Sequence, residues 1–238
     1  MDLMTHNHGS MPGNTPPWAF LDSMDVEKIE DDDCRKQAKT FNEKCRTALD
    51  KSKRKDGKGF AAYQLKKELC VDDDCKEARK CIVTSQSVGC CDGKEAHHVV
   101  PAHCFGKPGA RKAKASVRKS MMYPDCENYK ARRAPCICLD GKDEGKKREH
   151  AKVHKILDES EELIGKENNH SWLFKQANKE GCLAISKVTG CPQKCLEEQS
   201  KQMHEDMGIK SDTLLRADSK GKVNEEFIPT IQRSVRRK

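Results

Sequence analysis

Gly93-Lys-Glu-Ala-His-His-Val-Val-Pro-Ala-His-Cys-Phe105 is the stretch on which the reading of this chain turns. It leaves a turn, Val88-Gly-Cys-Cys-Asp-Gly93, carries two adjacent histidines, and runs into a short apolar segment. Neighbouring side chains on a strand point to opposite faces. A His-His pair in an extended segment can therefore split its duties, one imidazole on a metal ion and the other on water.

Three features follow in order. Asn128 lies about 30 residues on, a short apolar strand spans 136–139, and His150-x3-His154 sits in an amphipathic helix over 148–165. Val153, Leu157, Ser160 and Ile164 fall near one stripe of that helix, with Ile156 and Leu163 beside it. Histidines at i and i+4 share a helical face. Neutral imidazoles bind a divalent cation well, and such a cation can offset the charge that develops on a phosphate under attack. An imidazole kept off the metal can take a proton from the attacking water. The order therefore points to a metal site built from the His150/His154 pair and one histidine of the 97–98 pair, with the other histidine left to act on water.

The charge distribution supports a phosphate substrate. The chain has 46 Lys/Arg and 38 Asp/Glu, a formal net charge of +8. Residues 93–155 hold 16 Lys/Arg against 7 Asp/Glu, so the whole excess surrounds the histidines. No acid occurs from Ala96 to Pro124, a stretch with Lys107, Arg111, Lys112, Lys114, Arg118 and Lys119. With Arg132 and Arg133 these are the expected DNA contacts, since a basic field concentrates polyanions.

Hydrophobic residues are 35% of the chain, charged residues also 35%, and mean hydropathy is −0.90. Such a chain builds a small core and needs cross-links or a metal. No apolar run reaches the length of a membrane span, and Met1-Asp-Leu-Met-Thr-His is no Sec-type signal. Fourteen cysteines indicate disulfides or metal sites. Cys90, Cys91, Cys136, Cys138, Cys182, Cys191 and Cys195 are candidates for structural zinc or for disulfides, with disulfides preferred because strict C-x2-C pairs are missing. Cys34 and Cys45 cannot pair if one helix carries both, because eleven residues rise about 16 Å. Cys70, Cys75 or Cys81 are the nearer partners.

Four regions follow. Residues 1–22 are a linker or the tail of a preceding domain. Residues 23–85 form a helical cysteine-rich region, broken by the Gly/Lys-rich 53–59. Residues 86–205 hold the histidines, with a loop or knuckle from Cys182 to Cys195 and a helix over 193–207. Residues 206–238 are a polar C-terminal tail. His103 reads as structural, and His170 and His204 as surface residues.

The histidine stretch, Cys126-Glu-Asn-Tyr129, Ala134-Pro-Cys-Ile-Cys-Leu-Asp-Gly141 and Glu149-His-Ala-Lys-Val-His154 together resemble the GHH nuclease toxins, in particular the second GHH family, a branch of the HNH/endonuclease VII-like group. The resemblance covers roughly 85–200. It departs from the family at Ala96, where the family carries Gly. It implies an α+β, mostly helical chain around a ββα-metal (His-Me finger) core, with added helices and disulfides. It further implies a metal-dependent DNase using one divalent ion (Mg²⁺, Mn²⁺, Ni²⁺ or Zn²⁺), DNA as substrate, and a cognate, acidic immunity protein. In the roles it implies, His97, His150 and His154 hold the metal, His98 is the general base, and Asn128 holds the loop and orients His98 or binds the metal. Leu3-Met-Thr-His-Asn-His-Gly-Ser-Met-Pro-Gly-Asn-Thr-Pro-Pro-Trp18 resembles the end of PAAR-like domains. That implies a type VI secretion effector acting in the cytoplasm of a target cell. An RNase on the same scaffold and a non-catalytic zinc or nucleic-acid-binding module are the alternatives.

Overall fold

Two copies of one string, Asp-Asp-Asp-Cys at 31–34 and 72–75, each open a helix. The Asp31 side chain accepts the Cys34 N–H at 2.9 Å and starts α1 (Asp32–Lys44). After α2 (Ala62–Leu69), Asp72 accepts the Cys75 N–H at 2.9 Å and starts α3 (Asp73–Ala78). Each aspartate satisfies a donor the helix leaves open, a contribution of about 1 kcal/mol, and the acids behind it complement the helix dipole. The computed structural model describes residues 31–46, 62–141 and 148–221. The segment 1–22 with His6 and His8, the break at 53–59 and the loop 142–147 lie outside the described residues.

The chain is α+β and mostly helical. A three-stranded antiparallel sheet has the order β1 (Thr84–Ser85), β3 (Pro135–Asp140), β2 (Lys94–His98), so the strand at 135–140 is central. His97 stands opposite Ile137 and His98 opposite Cys136. Between β2 and β3 the basic stretch folds into single turns, including the four-residue α4 (Ala115–Arg118). Beyond β3 runs α5 (Glu149–Glu167), followed by β4 (Ser171–Leu173), α6 (Phe174–Thr189), α7 (Gln193–Glu205) and β5 (Leu214–Arg216), which pairs with β4. The main core gathers Val99, Phe105, Ile137, Leu157, Trp172 and Ile185 where β2, β3, α5 and α6 meet.

Three expectations are corrected. Cys182 to Cys195 is not a loop: Cys182 is inside α6 and Cys195 inside α7, with only a tight turn at Gly190 between them. Residues 206–221 are not a tail, since Met207, Ile209, Leu215 and Ala217 are buried and β5 pairs with β4. The buried stripe of α5 is His150, Val153, Leu157, Glu161 and Gly165. It is rotated away from Ser160 and Ile164, leaving Leu163 exposed. Gly165 explains the rotation, because a Cβ there would stand 2.4 Å from the Ala217 carbonyl oxygen, so α5 rests directly on the segment after β5.

Disulfides join Cys34–Cys195, Cys45–Cys75, Cys70–Cys91, Cys81–Cys191 and Cys90–Cys138. Cys34 and Cys45 indeed do not pair, but Cys34 reaches α7 rather than the neighbouring helices. Cys136 and Cys182 are buried and unbridged, as are Cys104 and Cys126.

Candidate active site

β2 and α5 bring three histidines together. His97 projects from β2 into the interior, 2% exposed. His150 and His154 come from successive turns at the start of α5. Ring centres stand 5.2 Å apart for His97 and His150, 4.5 Å for His97 and His154, and 4.7 Å for His150 and His154. The Asp140 N–H donates to the Glu149 carboxylate at 3.0 Å, fastening the first turn of α5 to the end of β3. The helix position, and with it the two imidazoles, is thereby fixed against the strand.

Two observations test this cluster as a metal site. Both ring nitrogens of His97 are buried and find no hydrogen-bond partner, an arrangement that is destabilising unless something else uses a lone pair. Burial first, and then the neighbouring His154, His150 and His98, push the His97 imidazole well below its usual pKa. It is therefore neutral, the form a metal requires. The ring centres are about as close as three imidazoles on one ion need, roughly 4.6–5.3 Å, but the ring nitrogens of the three do not all lie within 4.8 Å of one another, so the rings must turn for their lone pairs to converge. The donor set fits a divalent cation.

His98 takes the other face of β2. Its Nε2 lies 3.1 Å from the Ala131 carbonyl oxygen. A carbonyl only accepts, so Nε2 carries the proton and Nδ1 the lone pair, as a base requires. Ala131 opens the turn Ala131–Arg133, so Arg132 and Arg133 flank the residue that orients His98.

All four histidines line one cleft of about 940 Å³, together with Glu95, His103 and Asp158. Sequence reading passed over several of these. Glu95 precedes His97 by two residues, the strand period, and its carboxylate lies 3.4 Å from His150 Nδ1. Such a carboxylate orients an imidazole. Asp158, one turn beyond His154, is within electrostatic reach of both His154 and His103, and burial raises its pKa. His103 is half-exposed and hydrogen-bonds through Nε2 to the fully buried Glu161 at 2.7 Å. With Cys104 these two bring three ligand-type atoms within 4.8 Å of one another. Burial pushes the Cys104 thiol well above its usual pKa, so it is a thiol there, and the hydrogen bond already satisfies His103 Nε2.

The remaining predicted residues fall around the cleft. Asn128 is exposed on the loop before β3, near Gly208, and does not line the cleft. Lys112, Lys114, Arg118 and Lys119 are exposed and Lys107 half-exposed on the turns between β2 and β3, where the Arg111 backbone also lies. His204 is corrected from surface to core: it is 0% exposed, stacked on Phe105 at 5.4 Å and against Phe174 at 4.7 Å, and burial lowers its pKa to about 3.

No family model and no solved structure matches the chain. Among curated proteins, the DNase toxin Tse7 of Pseudomonas aeruginosa is 25% identical over 252 residues, covering 94% of this chain and 63% of that protein, so the chain spans less than two thirds of the relative's length.

Proposed function

We propose that this chain is a metal-dependent DNA endonuclease acting as an antibacterial toxin. The observation that carries this is the junction of β2 and α5, where three imidazoles meet and the most buried of them has no partner for either nitrogen. The similarity to a protein named as a DNase toxin supports the same reading. So does the adjacency of an antiparallel strand pair and a helix that carry the histidines in the order of a ββα-metal site.

His97, His150 and His154 would hold one divalent ion, and Glu95 would orient His150. When bound, such an ion supplies positive charge to a phosphate oxygen and to the leaving oxygen. His98, its Nε2–H held by Ala131, takes a proton from the attacking water through Nδ1. Arg132, Arg133 and the lysines between β2 and β3 draw the polyanion to the cleft. Asn128 acts from outside the cleft in this reading, on the loop that leads to Ala131. The basic face suits an acidic immunity protein in the producing cell. Delivery through a type VI spike by a PAAR-like segment, with action in the target-cell cytoplasm, belongs to the same proposal.

The test is cleavage of plasmid DNA and of RNA side by side, with Mg²⁺, Mn²⁺, Ni²⁺ or Zn²⁺ added after chelation. DNA is cut only with metal, and His98→Ala lowers the rate by about 10²–10⁴. Preferred cleavage of RNA would reassign the substrate. Tight metal and DNA binding without cleavage would make the chain a binding module.

A further inference from the structure

Next to the cleft, sharing Ala102 and His103 with it, lies a smaller hollow of about 100 Å³. Lys107, Arg118 and Arg216 line it, and among the described residues no acid does. Arg216 sets its character. This arginine is 4% exposed, its NH2 donates to Asp218 at 2.8 Å, and its buried Nε has no partner. A guanidinium with an unused buried donor is the group from which an anion gains most, because its planar fork matches phosphate oxygens.

The hollow is braced from behind. Glu161, fully buried on α5, accepts the Asp218 N–H at 2.7 Å and also bonds His103 at 2.7 Å. One carboxylate thus fixes both His103, on the wall shared with the cleft, and the Asp218–Arg216 pair. Charge then gives the nucleic-acid strand a direction. Lys152 lines the cleft beside the histidines, but farther along α5 the wall carries Asp158, Glu159 and Glu162, and Lys155 and Lys220 there are paired with Glu159 and Glu162. A polyanion following α5 away from the histidines meets like charge, whereas one crossing Ala102 and His103 reaches Lys107, Arg118 and Arg216.

We propose that this hollow is a phosphate subsite, holding a backbone phosphodiester neighbouring the one cut at the histidine cluster, with Arg216 as its buried anchor and Lys107 and Arg118 on its walls. The proposal rests on the nuclease reading above and adds to it the track of the strand.

Two variants of the full chain test it, Lys107→Ala/Arg118→Ala and Arg216→Lys, the second keeping the charge but losing the fork. Fluorescence anisotropy of a labelled DNA oligonucleotide with metal-free protein reads binding apart from cleavage. The double variant should bind at least tenfold more weakly, with the slope of log affinity against log salt reduced by about 2. Arg216→Lys should weaken binding at least threefold while keeping the wild-type slope. With metal, both should lose at least tenfold more on the oligonucleotide than on bis(p-nitrophenyl) phosphate, which offers a single phosphate. Equal losses on the two substrates, or an unaltered salt slope in the double variant, would overturn the subsite. Wild-type protein that binds DNA through these residues yet cuts neither substrate would overturn the nuclease reading and leave the phosphate site standing.

Discussion

Replacing Gly181 by alanine sets two effects of opposite sign against each other. Gly181 lies in the middle of α6, where alanine is the better helix former by about 1 kcal/mol. Yet a Cβ at this position would stand 2.0 Å from the Val99 carbonyl oxygen and 3.0 Å from its carbon. A carbon and a carbonyl oxygen in contact need about 3.3 Å, so backbone must move by more than an ångström. Val99 cannot yield freely, because its N–H is bonded to the Pro135 carbonyl at 3.0 Å, continuing the pairing of β2 with β3. Overpacking costs about 1–3 kcal/mol, and a contact this short with backbone belongs at the upper end, about 2–3 kcal/mol, so that after the helix gain a net loss of about 1–2 kcal/mol remains. For a chain of this size that lowers Tm by about 2–8 °C. The functional effect should be larger, since Val99 directly follows His98 and an ångström of displacement at a catalytic group can cost about 10²-fold in rate. Thermal melting by circular dichroism and plasmid cleavage by the folded protein measure the two effects. Gly190→Ala is the control: its φ of 77° strains an alanine, but no atom lies within 4 Å of the added Cβ, so it should lose some stability and keep its activity per folded molecule. A Gly181→Ala protein with unchanged Tm and full cleavage would refute the claim that α6 rests on the strand end and sets His98.

Other outcomes follow from the same structure. His97→Leu, which removes two buried unpartnered nitrogens, should raise the Tm of metal-free protein while abolishing the rise in Tm that added Zn²⁺ or Ni²⁺ produces in the wild type. His204 is neutral in the fold, with a pKa of about 3, but takes a proton below about 6.5 when unfolded. Its contribution to stability is therefore present above pH 6.5 and is lost as the pH falls toward 3, at up to about 1.4 kcal/mol per pH unit. His204→Phe should flatten that acid limb in urea titrations, and an unchanged limb would contradict the burial. Alkylation of the denatured, unreduced chain should label four thiols, those of Cys104, Cys126, Cys136 and Cys182, and mass spectrometry after reduction should find all 14.

What could be read from the sequence was what leaves a local trace. The alternation that separates His97 from His98, the i, i+4 pair on α5 and the strand at 135–140 each follow from short-range geometry. Glu161 did not stand out, because a lone acid at a helix position reads as solvated until its partners are known. Those partners, His103 and Asp218, are 58 and 57 residues away. Cys34 and Cys195 are 161 residues apart, and no periodicity announces such a pairing. β4 and β5 were missed for a related reason: strands of three residues carry too little alternation to be seen, and only their pairing makes them strands.

The cross-links and the candidate site divide the molecule between them. Neither β2 nor α5 contains a cysteine. Three of the five bridges begin in, or one residue past, the helices before β1 and run to α3, to the turn before β2, or to α7; a fourth ties Cys81, just ahead of β1, to Cys191. The histidine cluster is held instead by apolar packing of Val153 and Leu157, by the Glu149 bond to Asp140, and by the β2–β3 ladder. Only Cys90–Cys138 touches that unit, and it fastens the turn leading into β2 to the middle of β3, where the ladder already fixes the register. Reduction should therefore loosen α1 to α3 before it disturbs the histidines. For the toxin proposed above, acting in a reducing cytoplasm, this order of failure would keep the site working while the bridges open. Loss of Tm in reductant with initial cleavage rates retained would be its signature, and simultaneous loss of both would show that the helical region is needed to hold the site.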